Sequence, residues 1–394
     1  MEIIFWILFL IVFYTFAGYA ILLSVLLFFK RHFSGRKADT PVEIDSLPRV
    51  CMFVTAFNEA DYIKIKVKNM TELDYPAEKM QILWITDGSD DGTPEMLKKY
   101  SGMEVHHLPE RNGKIHAMNR GMQFVDAPIV IFSDSNTVLC PEAVMIIVHT
   151  FTDSKVGCIA GEKRVLSKES DNAAGSGENL YWKFESWVKR MDSELNSAVG
   201  AVGELFAIRT SLFEEVENDT ILDDFVISLR IAEKGFRIAY TPDAYAMETA
   251  SVNVAEELKR KVRIAAGGLQ TIMRLKGLLN PFRYGILSLQ YISHKVLRWT
   301  IAPIALFCLP VVNFLIFLGK SESVGYTFYS DFLYFQAFMY LLALMGWMLE
   351  RKKIRFKLLF VPYYFTAINY ASLRGWVRFL RGKQSVNWEK SQRA

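Results

Sequence analysis

The stretch PIVIFSDSNT, residues 128–137, runs four apolar residues straight into Ser133-Asp134-Ser135-Asn136. In an extended chain alternate side chains share a face, so Asp134 and Asn136 point the same way. A carboxylate and an amide oxygen are the donors that hard divalent cations such as Mg²⁺ or Mn²⁺ accept, usually with substrate phosphates completing the shell. Such a pair can also be a polar strand end that solvates itself.

Three further stretches have comparable chemistry. In ITDGSDDGT (85–93) an apolar run ends at Asp87 and enters a turn with Gly88 and Gly92. These acids can bond a nucleobase or ribose, or close an Asx turn. A calcium loop of the EF-hand kind is excluded, because no glutamate stands at its twelfth position. In TILDDFVISLRIAEKGF (220–236), Asp223 and Asp224 open an amphipathic pattern. One of them can serve as general base to a hydroxyl, or the pair can cap a helix and complement its dipole. In EELKRKVRIAAGGLQ (256–270), Arg260 and Arg263 lie three apart with Lys259 and Lys261 beside them. They can clamp a departing diphosphate or face lipid headgroups. Arg111 and Lys114 flank the start of a helical pattern, a natural anion site.

These residues need a scaffold. Strand patterns cover 49–57, 81–87 and 128–134, and helical patterns cover 59–70, a start near Thr93-Pro94, and 113–125. Short apolar runs between turn signals suit parallel strands covered on both faces. The alternation predicts an α/β domain of βαβ units over 48–280. In such sheets ligands bind beyond the carboxyl ends of the strands, where Glu59, Asp87 and Asp134 fall.

Hydrophobic residues make up 51% of the chain, and they cluster. Residues 3–29 carry no charge, enough for a membrane span of about 20 residues and too long for a signal-peptide core. Lys30, Arg31, Arg36 and Lys37 follow, which predicts a cytoplasmic side from residue 30 onward and an N-terminus outside. Segment 1–30 is thus read as a transmembrane helix and 31–47 as a tether. Residues 281–299 place Gln290, His294 and Arg298 on one face, a pattern for an interfacial helix with His294 toward the headgroups. Residues 300–350 hold two more candidate spans. The basic segment 351–394 contains an apolar stretch interrupted by Pro362, read as interfacial or re-entrant.

A net charge of +4 gives no polycation argument, so nucleic acid is not an expected partner. Cys51, Cys140, Cys158 and Cys308 show no paired spacing and read as buried thiols. His106 and His107 read as structural residues in a strand. No Ser-His-Asp or Cys-His arrangement is evident. The candidate spans 3–29 and 300–318 lack ionisable residues, which weighs against a transporter.

The ordered series TAFNEA, TDGSDDGT, RNGKIHAMN, FSDSNT, GAVGELFAIR, LDDFVIS and KRKVRIAAGG resembles family 2 inverting glycosyltransferases of the GT-A fold. The layout is similar to the cellulose, hyaluronan and poly-N-acetylglucosamine synthases, and the resemblance covers roughly 48–300. It implies a Rossmann-like, mostly parallel cytosolic domain with transmembrane and interfacial helices at both ends. It implies that Glu59 and Asp87 hold the uridine, that Lys114 lies by the nucleotide, and that Asp134 and Asn136 bind metal and diphosphate. Asp224 becomes the catalytic base beside Asp223, and Gly203 and Glu204 belong to an acceptor-facing loop. Arg260 and Arg263 become diphosphate ligands. The expected activity moves a sugar from a nucleotide-sugar, UDP-linked, to a glycan or lipid-linked acceptor on the bilayer. The family's Q-x-x-R-W reads Arg260-Lys261-Val262-Arg263-Ile264 here. The missing tryptophan weighs against long-chain processive synthesis. Polymer synthesis coupled to export is the alternative; three spans are few for an export channel unless chains associate, as a homo-oligomer or with a partner membrane subunit, or the helix at 358–376 crosses as well. An inactive membrane scaffold is a further alternative, against which the retained acids weigh.

Overall fold

A computed structural model of the protein describes residues 1–33, 47–166, 174–249, 254–319, 326–352 and 357–382. Most of the expected tether and the end of the C-terminal segment lie outside them.

The apolar runs form strands β1 (Val50–Ala56), β2 (Met80–Asp87), β3 (Glu104–Leu108) and β4 (Ile129–Ser133). The sheet is completed by β5 (Val138–Leu139), β6 (Val156–Leu166), β7 (Leu205–Arg209) and β8 (Arg237–Thr249), in the order β3-β2-β1-β4-β7-β6-β8-β5. β1 is parallel to both β2 and β4, and β2 to β3. β7 runs antiparallel to β4.

The N-terminal helix comprises α1 (Glu2–Phe13), a π-turn (Tyr14–Gly18) and α2 (Tyr19–Phe33). The first crossovers are α3 (Ala60–Thr71), α4 (Thr93–Leu97) and α5 (Lys114–Met122). They are followed by α6 (Ala143–Thr150), α7 (Ala174–Leu195), α8 (Asp223–Glu233) and α9 (Val254–Arg274). The C-terminal part holds α10 (Pro281–Tyr284), α11 (Ile286–Tyr291), a second π-turn (Ile292–Val296), α12 (Leu297–Trp299), α13 (Ile301–Gly319), α14 (Tyr326–Arg351) and α15 (Lys357–Leu380).

Alternation along the central strands divides the core in two. Phe53, Leu83, Ile85 and Phe132 pack with α5 and α8 on one face. Met52, Val54, Trp84 and Ile131 pack with α3 and α6 on the other. Both faces are covered, which explains the unbroken apolar runs.

Among the described residues three helices are long and apolar enough to cross a membrane: Glu2–Phe33, Ile301–Gly319 and Thr327–Arg351. Phe5, Leu309 and Tyr329 pack them together. α15 instead lies along α9, with Phe360, Tyr363 and Tyr364 against Val254 and Gly375 against Ala265.

Two expectations are corrected. The polar stripe of 281–299 faces inward and not toward headgroups. Gln290 and His294 are fully buried, and both bond Asp192 of α7. A buried imidazole needs partners for its ring nitrogens, and α7 supplies them. Among the cysteines, Cys308 is exposed on α13, because a helix facing an apolar surrounding has no need to bury a thiol. The other three are buried.

Candidate active site

β2, β1 and β4 are neighbours, so their carboxyl ends bring Asp87, Glu59 and Asp134 to one rim. A cavity of about 110 Å³ opens there, lined by Phe57, Glu59, Tyr62, Asp87, Arg111 and Asn136 among others. Asp87 Oδ2 accepts the backbone N–H groups of Asn112, at 2.8 Å, and Gly113, at 2.6 Å. Its Oδ1 is buried with no hydrogen-bond partner among the described residues. A buried carboxylate oxygen left open at a cavity is a ready acceptor for a ligand donor. Gly88 fits this turn because its φ is +69° and a Cβ there would lie 2.5 Å from the Arg111 Cβ. The Arg111 guanidinium in turn sits 3.8 Å from the centre of the Phe57 ring.

Asp134 stands one residue past β4, and Thr137 Oγ1 donates to its carbonyl at 2.9 Å. The turn is braced from below by Lys66 of α3. Its ammonium donates to Ser133 Oγ at 2.7 Å and to the Thr137 carbonyl at 2.9 Å. Burial pushes the Lys66 pKa down to about 7.

The Lys114 ammonium lies 3.1 Å from Asp134 Oδ1 and 3.2 Å from Asp223 Oδ2. Burial opposes its charge, yet Asp134, Asp223 and Asp224 together hold its pKa above the ordinary value. The helix-start acids therefore divide their work. Asp223 turns to Lys114, while Asp224 Oδ1 accepts the N–H of Phe225 at 2.8 Å. Burial, followed by the charge of Asp223, pushes the Asp224 pKa up to about 7. A carboxylate tuned to that range suits proton abstraction near neutral pH.

Gly203 abuts these groups: a Cβ there would lie 3.5 Å from Asp224 Oδ2. Glu204 is engaged by Lys163 at 2.6 Å; burial opposes its charge, yet Lys163 and Arg260 together hold its pKa well below the ordinary value. Lys163 also pairs with Glu248.

Arg263 lines a second, larger cavity of about 570 Å³ with Lys114, Asp134, Asp223 and Asp224. Burial lowers the Arg263 pKa, against the pull of Asp223. Arg260 is not brought to the smaller cavity. It bonds Glu257 at 3.0 Å and lines the larger one.

Lys66, Phe57, Tyr62 and Lys163 were not among the expected site residues. Lys66 left a signal, a lysine on the buried face of α3 with Ile63, Val67 and Met70. The pairing of Lys163 with Glu204 and Glu248 links β6, the loop before β7 and β8, which no local pattern shows.

Among relatives, poly-beta-1,6-N-acetyl-D-glucosamine synthases are similar. That of Staphylococcus aureus is 27% identical over 62% of this chain and 60% of its own length. That of Staphylococcus epidermidis is 25% identical over 57% and 56%. The chain thus matches little more than half the length of these relatives. Among solved structures, a mannosyltransferase from Pyrobaculum calidifontis, in complex with GDP-mannose and Mn²⁺, superimposes with a TM-score of 0.71. It is 20% identical, over 97% of this chain and 99% of that one, and shows that the fold is of the GT-A kind. The family model described as "Glycosyltransferase like family 2" matches residues 48–267, from just before β1 into α9. That span takes in each acid of the site, and the chain belongs to glycosyltransferase family 2.

Proposed function

We propose that the protein is a membrane-bound inverting glycosyltransferase that moves a sugar from a nucleotide-sugar, UDP-linked, to a glycan or lipid-linked acceptor. The observation that carries this reading is the convergence of Asp134, Asp223 and Asp224 on Lys114 beside the cavity that holds the open Asp87 oxygen. The three apolar helices anchor the domain, with the catalytic side cytoplasmic and the N-terminus outside.

The nucleoside occupies the smaller cavity. Asp87 Oδ1 accepts from it, and Glu59, Phe57 and Tyr62 enclose it. Lys114 stays protonated and faces the diphosphate, with Arg263 across the site. A divalent cation fits the donor set of Asp134 and Asn136. Among the described residues no cluster of three His, Cys, Asp or Glu side chains is placed to hold a metal alone, so Asp134 and Asn136 would hold the ion together with oxygens from substrate or water. Mg²⁺ or Mn²⁺ bound there would supply positive charge against the leaving diphosphate. Asp224 takes the proton of the acceptor hydroxyl as that oxygen attacks the anomeric carbon. The bond to the diphosphate oxygen breaks on the opposite side, so an α-linked donor yields a β-linkage. No covalent enzyme intermediate is needed.

A second reading, a processive polysaccharide synthase coupled to export, draws on the synthases similar to this chain and on a larger cavity that continues to Phe16 of the first apolar helix. One assay separates the two. Purified protein is supplied with UDP- and GDP-sugars, released UDP or GDP is measured, and the product is sized. A single added sugar fits the first reading, and a ladder of long polymer fits the second. No nucleoside diphosphate released from any donor, with Mg²⁺ or Mn²⁺ present, sinks both.

A further inference from the structure

The larger cavity changes character along its lining. It includes Asp224 and Arg263, and also Phe16 of the first π-turn with Phe365 and Ile368 of α15. Phe16 and Phe365 meet edge-on at 4.9 Å between ring centres, and Phe365 is 39% exposed. The cavity thus joins an acid-bearing end to an apolar wall formed by the first candidate span and α15.

The same lining holds Lys189 of α7, Lys295 of the second π-turn and Arg298 of α12. Glu185 is the carboxylate that Lys295 and Arg298 share, Arg298 at 2.8 Å, and His294 lies on it at 3.1 Å. Asp192 is occupied by His294 at 2.6 Å and by the Tyr19 hydroxyl. Lys189 is only 5% exposed and has no carboxylate partner among the described residues. Its charge lies 5.9 Å from the Trp182 ring centre. A buried cation without a counter-charge is costly, and a bound anion relieves the cost. A neutral glycan chain offers Lys189 no such charge.

The two π-turns are built around this cluster. Tyr14 of the first and Ser293 of the second share a 2.8 Å hydrogen bond. The first carries Phe16 and the second His294 and Lys295, all in the cavity wall. Single π-turns recur at functional sites, where the extra residue redirects side chains.

We propose that this cavity takes the acceptor as a lipid whose hydroxyl-bearing head is joined to its hydrocarbon through a phosphate or diphosphate. The phosphate sits by Lys189, Lys295 and Arg298, the hydrocarbon lies against Phe16, Phe365 and Ile368, and the head reaches Asp224. This rests on the transferase reading above and names its acceptor class. In the transfer, the head hydroxyl oxygen bonds the anomeric carbon and its proton passes to Asp224. The bond from that carbon to the diphosphate breaks, and nucleoside diphosphate leaves with the electron pair.

The test measures binding to the detergent-solubilised full chain with no donor present. The probe is a fluorescent phosphatidylglycerol, with diacylglycerol of the same chains and inorganic phosphate as competitors. Phosphatidylglycerol is expected to bind at least about tenfold tighter than diacylglycerol, and Lys189→Met is expected to lose about tenfold, the size of a charged hydrogen bond. Lys189→Arg is expected to keep the binding. Unchanged UDP or GDP binding in each variant shows that the fold is intact. Equal affinity for the two lipids overturns the proposal, as does a Lys189→Met variant that binds like the original chain. Inorganic phosphate that binds as tightly as the lipid makes this a free-anion site and overturns the lipid acceptor. Lack of transfer from any donor sinks the transferase reading and leaves this measurement standing.

Discussion

The Lys114 ammonium lies 3.1 Å from Asp134 Oδ1, so the residue that opens α5 is tied to the residue that follows β4. That ion pair joins the rim of the smaller cavity to the acid pair of α8, because Lys114 also faces Asp223. Each carboxylate therefore feels the others through one lysine.

Replacing Lys114 by Met removes the cation between them. We expect transfer to fall on the order of 10²-fold, the usual loss for one charged group facing a transition state. Lys114 lowers the Asp224 pKa, so its removal moves the acidic limb of the rate profile above about 7. Profiles of kcat/KM against pH for both proteins check this. An unmoved limb means that Lys114 and Asp224 are not coupled.

Asp224 itself must be ionised to accept a proton. The rate is expected to fall as pH drops through about 7, roughly tenfold per unit below it. Asp224→Asn is expected to lower transfer by roughly 10²- to 10⁴-fold with UDP or GDP binding unchanged. The same shift has a sign for stability. The folded pKa stands above the ordinary 3.8, so the protonated form favours folding and stability is lost as pH rises from about 4 to about 7. Melting curves over that range, compared with Asp224→Asn, isolate the contribution.

The acids were legible in the sequence because each sits at an element boundary. Asp87 ends an apolar strand, Asp134 follows one, and Asp223 opens a helix whose apolar period is clear. What local pattern could not show is which partner each would choose. Asp223 could have capped its own helix, yet the fold brings Lys114 to it. Glu204 lies in an acceptor-like loop, yet Lys163 of β6 claims it. The polar face of 281–299 had the period of an interfacial helix. It turned inward because α7 carries Asp192 and Glu185, which no local pattern places against it. Long-range pairing decided all three.

Gly203 tests the space beside the base. The Cβ of an alanine at this position would meet Asp224 Oδ2 at 3.5 Å and Lys114 Nζ at 3.7 Å, both ordinary contacts. Gly203→Ala is therefore expected to fold normally while crowding the approach of the acceptor hydroxyl. Initial rates should show a higher acceptor KM or lower kcat, with donor KM unchanged. A variant kinetically identical to the original chain would place the acceptor elsewhere.

Asn136 is the second metal ligand on the proposed reading. It lines the smaller cavity with Asp134, and no cluster of three acids, histidines or cysteines stands there among the described residues. A chelator is therefore expected to abolish transfer, and added Mg²⁺ or Mn²⁺ to restore it. Asn136→Asp turns a neutral oxygen into a charged one. If the amide oxygen is a ligand, the half-saturating metal concentration should fall by about tenfold, because affinity for hard cations rises with ligand charge. The added carboxylate lines the smaller cavity beside Asp134, so its effect on the rate need not match its effect on metal affinity. Metal titration of bound nucleotide, read apart from turnover, separates the two. An unchanged midpoint assigns the metal to Asp134 alone and leaves Asn136 to shape the nucleotide cavity.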